Sequence, residues 1–257
     1  MADAVSGSVP GVTGAVAVVT GGAKGIGAAI SRSLADAGAH VVVVDRDYDA
    51  ALTLSNELQK RGAPALPLRC DVSDTGEVQA AADRIRGEIG EIDLLVNNAG
   101  IGDFVSFPEI DRGRWDRMIG VHLTGAYNWS HAAIPSMVQR RSGRVVNVSS
   151  VAGKRGDFIG NAHYTAAKAG LIGLTKSLAA WAAPSSVRVN AIAPGIVDTE
   201  LTREMSDAHR ATTLSRIPIG RFADAGEIAA VVLFLLSDAS SYIVGETINV
   251  NGGSYLD

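Results

Sequence analysis

Ala15-Val16-Ala17-Val18-Val19-Thr20-Gly21-Gly22-Ala23-Lys24-Gly25-Ile26-Gly27 runs from an apolar stretch into a glycine-rich turn. The apolar run reads as a buried strand, and the turn opens a helical stretch from Ala28 to Ala37. Strand, glycine turn and helix N-terminus together gather backbone N–H groups and the positive end of a helix dipole, an anion site suited to a pyrophosphate. Gly21 allows the tight turn, Gly25 the close approach of a phosphate, and Gly27 the close packing of helix on sheet. Lys24 and Ile26 fill the turn between them. The spacing is G-x-x-x-G-x-G rather than G-x-G-x-x-G, so the turn alone does not decide its ligand. A second strand, Val41 to Val44, ends in Asp45, eighteen residues beyond Gly27. A carboxylate at that distance suits a ribose 2′-hydroxyl. A solvated Asp opening a loop is the plain alternative.

Outward from this unit, short β-branched runs alternate with helical stretches. Strands are predicted near 15–19, 41–44, 66–69, 92–96, 144–148, 187–192 and 247–250. Most are continuously apolar, without the period-two alternation of a half-exposed strand, as expected where a parallel sheet is covered on both faces. The pattern predicts an α/β fold, a doubly wound parallel sheet of about seven strands with helices on both sides. Pro64 and Pro67 shorten the third strand, because proline cannot donate to a ladder. A chain of 257 residues could hold one large α/β domain or two small ones. With no linker, repeat or low-complexity stretch, one domain over 1–257 is expected, with a loose tail at 1–14. The rhythm breaks at 198–225, a mixed-charge stretch beyond Pro194-Gly195 that reads as a substrate lid or a surface insertion.

Composition narrows the functional classes. A net charge of −4 offers no basic surface for nucleic acid. The cluster Arg140-Arg141-Ser142-Gly143-Arg144 reads as a solvated helix-end turn. No apolar run approaches the roughly 20 residues of a membrane span. A single cysteine, Cys70, excludes an intramolecular disulfide and fits a reducing, cytoplasmic setting. The five histidines show no metal-ligand spacing. Trp115, Trp129 and Trp181 are read as core or interface residues.

Chemistry is suggested by Tyr164 and Lys168, four residues apart and therefore on one helical face. A phenol normally keeps its proton until about pH 10, and a fixed cation nearby favours the phenolate. Ser150, fourteen residues upstream, supplies a hydroxyl that could hold a substrate oxygen while Tyr164 moves the proton. Such pairs also occur on ordinary solvated helices, so the pair gains its meaning from the rest of the chain.

Taken in order, Thr20-Gly21 to Gly27, Asp71-Val72, Asn97-Asn98-Ala99-Gly100, Ser150, Tyr164-x-x-x-Lys168 and Pro194-Gly195 resemble the short-chain dehydrogenase/reductase family from about residue 12 to the C-terminus. The resemblance is nearest to its 3-oxoacyl-carrier-protein reductase and sugar or polyol dehydrogenase branches. It implies a Rossmann-type fold, a nicotinamide dinucleotide cofactor, and interconversion of a secondary alcohol and a ketone. It further implies that Asp71 and Val72 contact adenine, and that Asn98, Ala99 and Gly100 let the backbone pass close to the cofactor. Pro194, Gly195, Val197 and Thr199 are placed at the nicotinamide end. Of the neighbours Ser149 and Ser150, it selects Ser150. Lys168 is expected to bind ribose as well as to act on Tyr164. A homotetramer is implied, with small and aromatic residues of two long helices, near 114–140 and 162–182, available for packing.

One residue departs from the family's pattern. Where relatives carry Asn in a proton relay, this chain has Val121-His122-Leu123. His122 is either a hydrogen-bonded core histidine or a replacement member of the relay. Its place on the stripe Trp115, Ile119, His122, Ala126, Trp129 and Ala133 predicts an inward-facing ring. Two functions from different classes are therefore weighed: a dehydrogenase, favoured by the intact Ser150, Tyr164 and Lys168, and a catalytically weak dinucleotide sensor. NAD is expected over NADP, because Asp45 opposes a 2′-phosphate, although Lys24 and Arg46 offer that phosphate positive charge.

Overall fold

A computed structural model describes residues 8–103, 105–156, 161–203 and 207–257. The chain lays down β1 (Val16–Thr20), α1 (Gly25–Asp36), β2 (His40–Asp45), α2 (Tyr48–Lys60), β3 (Ala65–Arg69), α3 (Thr75–Glu88) and β4 (Leu94–Asn97). There follow α4 (Arg112–Ile119), a π-helical turn (Gly120–Thr124), α5 (Gly125–Arg140), β5 (Gly143–Val148), α6 (Ala152–Arg155) and α7 (Ala162–Ala182). Then come β6 (Val187–Pro194), α8 (Glu200–Arg203), α9 (Asp207–Leu214), α10 (Ala225–Leu236) and β7 (Thr247–Val250). All seven predicted strands are present, and they form one sheet in the order β3-β2-β1-β4-β5-β6-β7. Every pairing is parallel.

The unbroken apolar runs have their cause in two cores, one on each face of the sheet. Ala17, Val19, Val41, Val43, Leu94, Val96, Val146 and Val148 point to one side, where they meet α1, α2 and α10. Val16, Val18, Val42, Val44, Leu95 and Val145 point to the other, against α3, α5 and α7. Successive side chains of a strand face opposite sides, so a strand covered on both must be apolar throughout. Each fully buried valine contributes about 1.5–3 kcal/mol of transfer free energy. Pro67 is accommodated because β3 is an edge strand.

Three expectations change. Residues 9–14, read as part of a loose tail, are packed: Val12 is fully buried, and the Thr13 hydroxyl donates to Ala37 O at 2.9 Å. The remainder of that tail, 1–7, lies outside the described residues, as do 204–206 of the expected lid. The arginine cluster is more than a solvated turn. Arg144 donates to the carbonyls of Gly11 and Leu236 and pairs with Asp238, joining the N-terminal segment to the sheet and to α10. Trp115 is exposed rather than inward-facing, while Trp129 is fully buried.

That last change follows from the π turn. Gly125 N–H reaches Gly120 O, five residues back instead of four. One surplus residue is thereby looped into the helix. The inward position on α4 becomes Met118, one residue earlier than a uniform period places it.

Candidate active site

Because adjoining strands β1 and β4 send their connections to opposite faces, a crevice opens at their carboxyl ends, the place where doubly wound sheets bind ligands. Two connected hollows occupy it, of about 400 Å³ and 340 Å³. They share Ile26, Asn98, Gly100, Ile101 and Thr199, so they form one elongated cleft.

The first hollow is lined by Gly21, Lys24, Gly25, Ile26, Gly27, Asp45, Arg46, Asp71, Val72, Asn98, Ala99, Gly100 and Thr199. Gly21 and Gly25 adopt positive φ, of 58° and 51°. A Cβ at Gly27 would stand 1.9 Å from Gly21 O, so only glycine lets α1 begin so close to the turn. The first turn of α1 carries no acidic residue and no side-chain cap, leaving its N–H groups to the cleft. This cradle fits a pyrophosphate. Asp45 accepts from the backbone N–H groups of Ala23 at 3.2 Å and Asp47 at 3.0 Å, which fixes its carboxylate at the end of β2. Lys24 is drawn to Asp47, at 2.7 Å. Asp71 lies two residues beyond β3 and accepts from the Ser73 hydroxyl and N–H; those bonds hold its carboxyl below the ordinary range against the opposing effect of burial. The helix cap itself falls to Asp74, which accepts from Glu77 N–H.

The second hollow is lined by Ser150, Tyr164, Lys168, His122, Pro194, Gly195, Val197 and Thr199, so every residue predicted for the site faces one half of the cleft or the other. Alternation along the chain separates the two serines. Ser149 is buried and donates to Lys168 O at 2.9 Å. Ser150 faces the cleft, its oxygen accepting from Ala152 N–H at 3.1 Å and its proton remaining for an incoming oxygen. Beneath them, Gly153 lets α6 lie directly on α7, since a Cβ there would meet the Lys168 carbonyl carbon at 2.6 Å. Lys168 is buried, donates to Val148 O at 2.7 Å, and holds its ammonium 5.7 Å from the centre of the Tyr164 ring. Burial lowers its pKa to about 7.

The π turn carries His122 into the same space. Its ring meets Tyr164 edge-on, centroids 5.3 Å apart, and its Nε2 lies 3.0 Å from both Ile101 N and Ile101 O. Gly100 makes room for it, because a Cβ there would come within 2.6 Å of the imidazole. Burial, followed by the nearby Lys168 charge, lowers the His122 pKa to about 3. A relay histidine would be expected from the sequence to protonate, and activity to fall with it, on mild acidification; the lowered pKa corrects this, since the ring stays neutral there. Asn128 is occupied elsewhere, donating to Val72 O at 2.9 Å.

The sequence reading missed several lining residues: Cys70, Val121 and Glu200 in the first hollow, and Asp103, Arg155 and Thr202 in the second. It also missed a buried polar chain below the site. Asn97 donates to Asn147 Oδ1 at 2.8 Å, and Asn147 donates to Thr175 Oγ1 at 2.8 Å, linking β4, β5 and α7. Three polar residues in otherwise apolar strands and helices were the available signal.

The family model described as Enoyl-(Acyl carrier protein) reductase matches residues 21–255. The chain belongs to the short-chain dehydrogenase/reductase family. Curated relatives named 3-oxoacyl-(acyl-carrier-protein) reductase FabG, from Salmonella typhimurium and Escherichia coli, are each 41% identical over 243 residues, 95% of this chain and 98% of theirs. A relative of the same name from Thermotoga maritima is 39% identical over 240 residues. The crystal structure of gox2181 superposes with a TM-score of 0.92 at 34% identity, over 94% of this chain and 96% of that one. The family member described here is thus an NAD(P)-dependent oxidoreductase acting on a ketone or alcohol group, and the binding-only alternative is not favoured. Among the described residues, no helix is long and apolar enough to cross a membrane.

The buried Lys168 makes a stability prediction. The unfolded chain keeps the lysine proton up to its ordinary pKa of 10.5, the folded chain only to about 7. Between those values the unfolded state binds more protons, so this residue's contribution to stability rises with pH, and its penalty is full below pH 7. Lys168→Met is expected to raise the thermal midpoint at pH 6–7 by on the order of 5–10 °C, with the gap closing towards pH 10. Calorimetry of both proteins across that range checks it; a variant less stable than the parent at pH 6 refutes the burial argument.

Proposed function

We propose that this reductase works through Ser150, Tyr164 and Lys168, binds NAD(H) in preference to NADP(H), and acts as a cytoplasmic homotetramer. One observation carries the catalytic part: the three side chains line a single hollow that is continuous with the glycine-turn cradle. When bound, the nicotinamide ring supplies the hydride acceptor or donor. The protein's own groups do the rest. Ser150 donates a hydrogen bond to the substrate oxygen. Tyr164 takes the hydroxyl proton during oxidation and returns it during reduction, with the Lys168 ammonium favouring the phenolate. An anionic dinucleotide beside Lys168 favours its charged form and so counteracts burial. Pro194, Gly195, Val197 and Thr199 border the nicotinamide end, Asp71 and Val72 the adenine end. Thr199 and Thr202, at the start of the stretch beyond Pro194-Gly195, cover the substrate end of the cleft.

The preference for NAD rests on Asp45. Its carboxylate is fixed by two backbone donors, and Lys24, which could otherwise answer a 2′-phosphate, is turned to Asp47. Arg46 remains at the rim of the hollow as the opposing charge. Fixed negative charge facing a phosphate outweighs one exposed guanidinium. Exposed Tyr127 and Trp181, on α5 and α7, supply the aromatic surface for association. The buried Cys70, its thiol pushed up to about 12 by burial, suits a reducing compartment, where no disulfide is required. The substrates to screen are secondary alcohols and ketones, including the 3-oxoacyl thioesters in the names of the relatives.

Tyr164→Phe is expected to lower kcat at least about 10²-fold while leaving cofactor affinity nearly unchanged. Near-normal turnover would overturn the mechanism. In the parent enzyme kcat/KM should favour NAD(H), and a clear NADPH preference would refute the role of Asp45. Light scattering should give the mass of four chains; a monomer would contradict the tetramer. For His122, whose Nδ1 is buried without a partner, we assign a neutral relay position beside Tyr164. His122→Asn should keep turnover, whereas His122→Ala should reduce kcat more than cofactor affinity, with the acid limb of the pH profile unmoved in both. An Ala variant as fast as the parent would make the ring a packing residue alone.

A further inference from the structure

The substrate half of the cleft has a polar wall that the mechanism above does not use. Asp103, in the loop after β4, lines it with a side chain 21% exposed. Its Oδ1 accepts from Arg114 on α4, and its Oδ2 faces Nε2 of the fully buried His163 at 3.3 Å. Burial works against ionisation, but the bonds from Arg114 and His163 hold the carboxyl below its ordinary range. A carboxylate offers about four lone-pair sites, so two remain for the cleft. The same hollow holds a second acceptor. Asn161, at the N-cap of α7, is 3% exposed and lines the same hollow, and its Oδ1 has no partner. It does not cap the helix either, as no cap hydrogen bond is formed by its side chain. Arg155, which lines this hollow along with Lys168, donates to Ser254 O.

A buried acceptor without a donor is destabilising, and a charged one more so. An unsubstituted acyl chain laid against this wall would leave Asn161 Oδ1 without a donor and would cover the remaining lone pairs of the Asp103 carboxylate. Hydroxyl groups flanking the reacting carbon would satisfy them. We propose that Asp103 and Asn161 determine specificity, selecting a polyhydroxylated ketone or alcohol of the sugar or polyol class over a hydroxyl-free acyl chain. This rests on the reading that the Tyr164 hollow is the substrate site of a dehydrogenase. Arg114 and His163 act as positioning residues that keep the Asp103 carboxylate aimed at the cleft.

The test uses the purified full chain and three carbonyl probes: erythrulose, a four-carbon ketose too short to form a ring; 2-butanone, its hydroxyl-free counterpart; and acetoacetyl-coenzyme A. The parent should favour erythrulose over 2-butanone in kcat/KM by at least about tenfold, the discrimination of one charge-assisted hydrogen bond. Asp103→Asn, close in shape, should reduce that ratio at least about tenfold, chiefly through the KM for erythrulose. Asn161→Ala should reduce it in the same direction. A structural role would instead lower turnover of all three probes together. A parent enzyme that prefers 2-butanone or acetoacetyl-coenzyme A overturns the inference, as does a ratio unmoved in both variants. Should Asp103→Asn fail to fold, the parent ratio and Asn161→Ala decide. Turnover with the wrong selectivity refutes only this inference. No turnover of any carbonyl with either cofactor refutes the dehydrogenase reading, and this inference with it.

Discussion

Four hydrogen bonds between the ends of β1 and β4 govern the shape of everything above the sheet. The Asn98 side chain donates to Thr20 O and Gly21 O, both at 3.0 Å. The Thr20 hydroxyl in return accepts from Asn98 N–H at 3.0 Å and Ala99 N–H at 3.1 Å. These bonds close the strand ends at the point where the sheet reverses its winding. They satisfy backbone groups that the ladder no longer reaches. They also bring Ala99 so near Gly21 that a Cβ on the glycine would meet Ala99 Cα at 2.8 Å. The glycine turn is therefore shaped by the partner strand as much as by its own sequence, and the cradle and the reacting hollow share one floor.

On that floor, burial and charge divide the work. The glycine-turn end carries paired, exposed charges such as Lys24 with Asp47. Surface pairs of this kind add little stability, but they decide where a cation points. In the second hollow two buried basic groups are pushed towards neutrality, Lys168 by burial and His122 by burial together with the Lys168 charge. An interior that disfavours positive charge gives an anion brought beside it a larger electrostatic effect than water would allow. Holding such a lysine in place needs strong polar contact, and the bond from its ammonium to Val148 O provides it.

Much of this was legible in the sequence because it depends on local spacing. Strands covered on both faces must read as apolar runs, and all seven were found within a few residues. The glycine turn, Asp45, Tyr164 and Lys168 are legible because a turn, a strand end and one helical face place them without long-range information, whereas Ser150 was chosen over Ser149 by the family resemblance. What was hidden depends on the tertiary structure. Asp103 lies in a loop, and nothing in its neighbours says which way that loop folds. Arg144 read as a solvated arginine because its partners, Gly11, Leu236 and Asp238, are distant in sequence. Trp115 was misplaced for a geometric reason: a uniform helical period was carried through a turn that holds an extra residue.

That extra residue separates two properties that helices usually couple. An α-helix turns by about 100° per residue, so losing one residue normally rotates everything downstream out of register. At Gly120–Thr124 the surplus is confined to a single wide turn, and the buried face of α5, with Ala126, Trp129 and Ala133, keeps its own phase. Removing one residue there would tighten the turn into regular helix and leave that face seated. It would turn α4, and with it Arg114, about the helix axis relative to the cleft. The bulge is thus a place where a length change alters chemistry while sparing the hydrophobic core, a point at which descendants of one scaffold can diverge in reactivity without refolding.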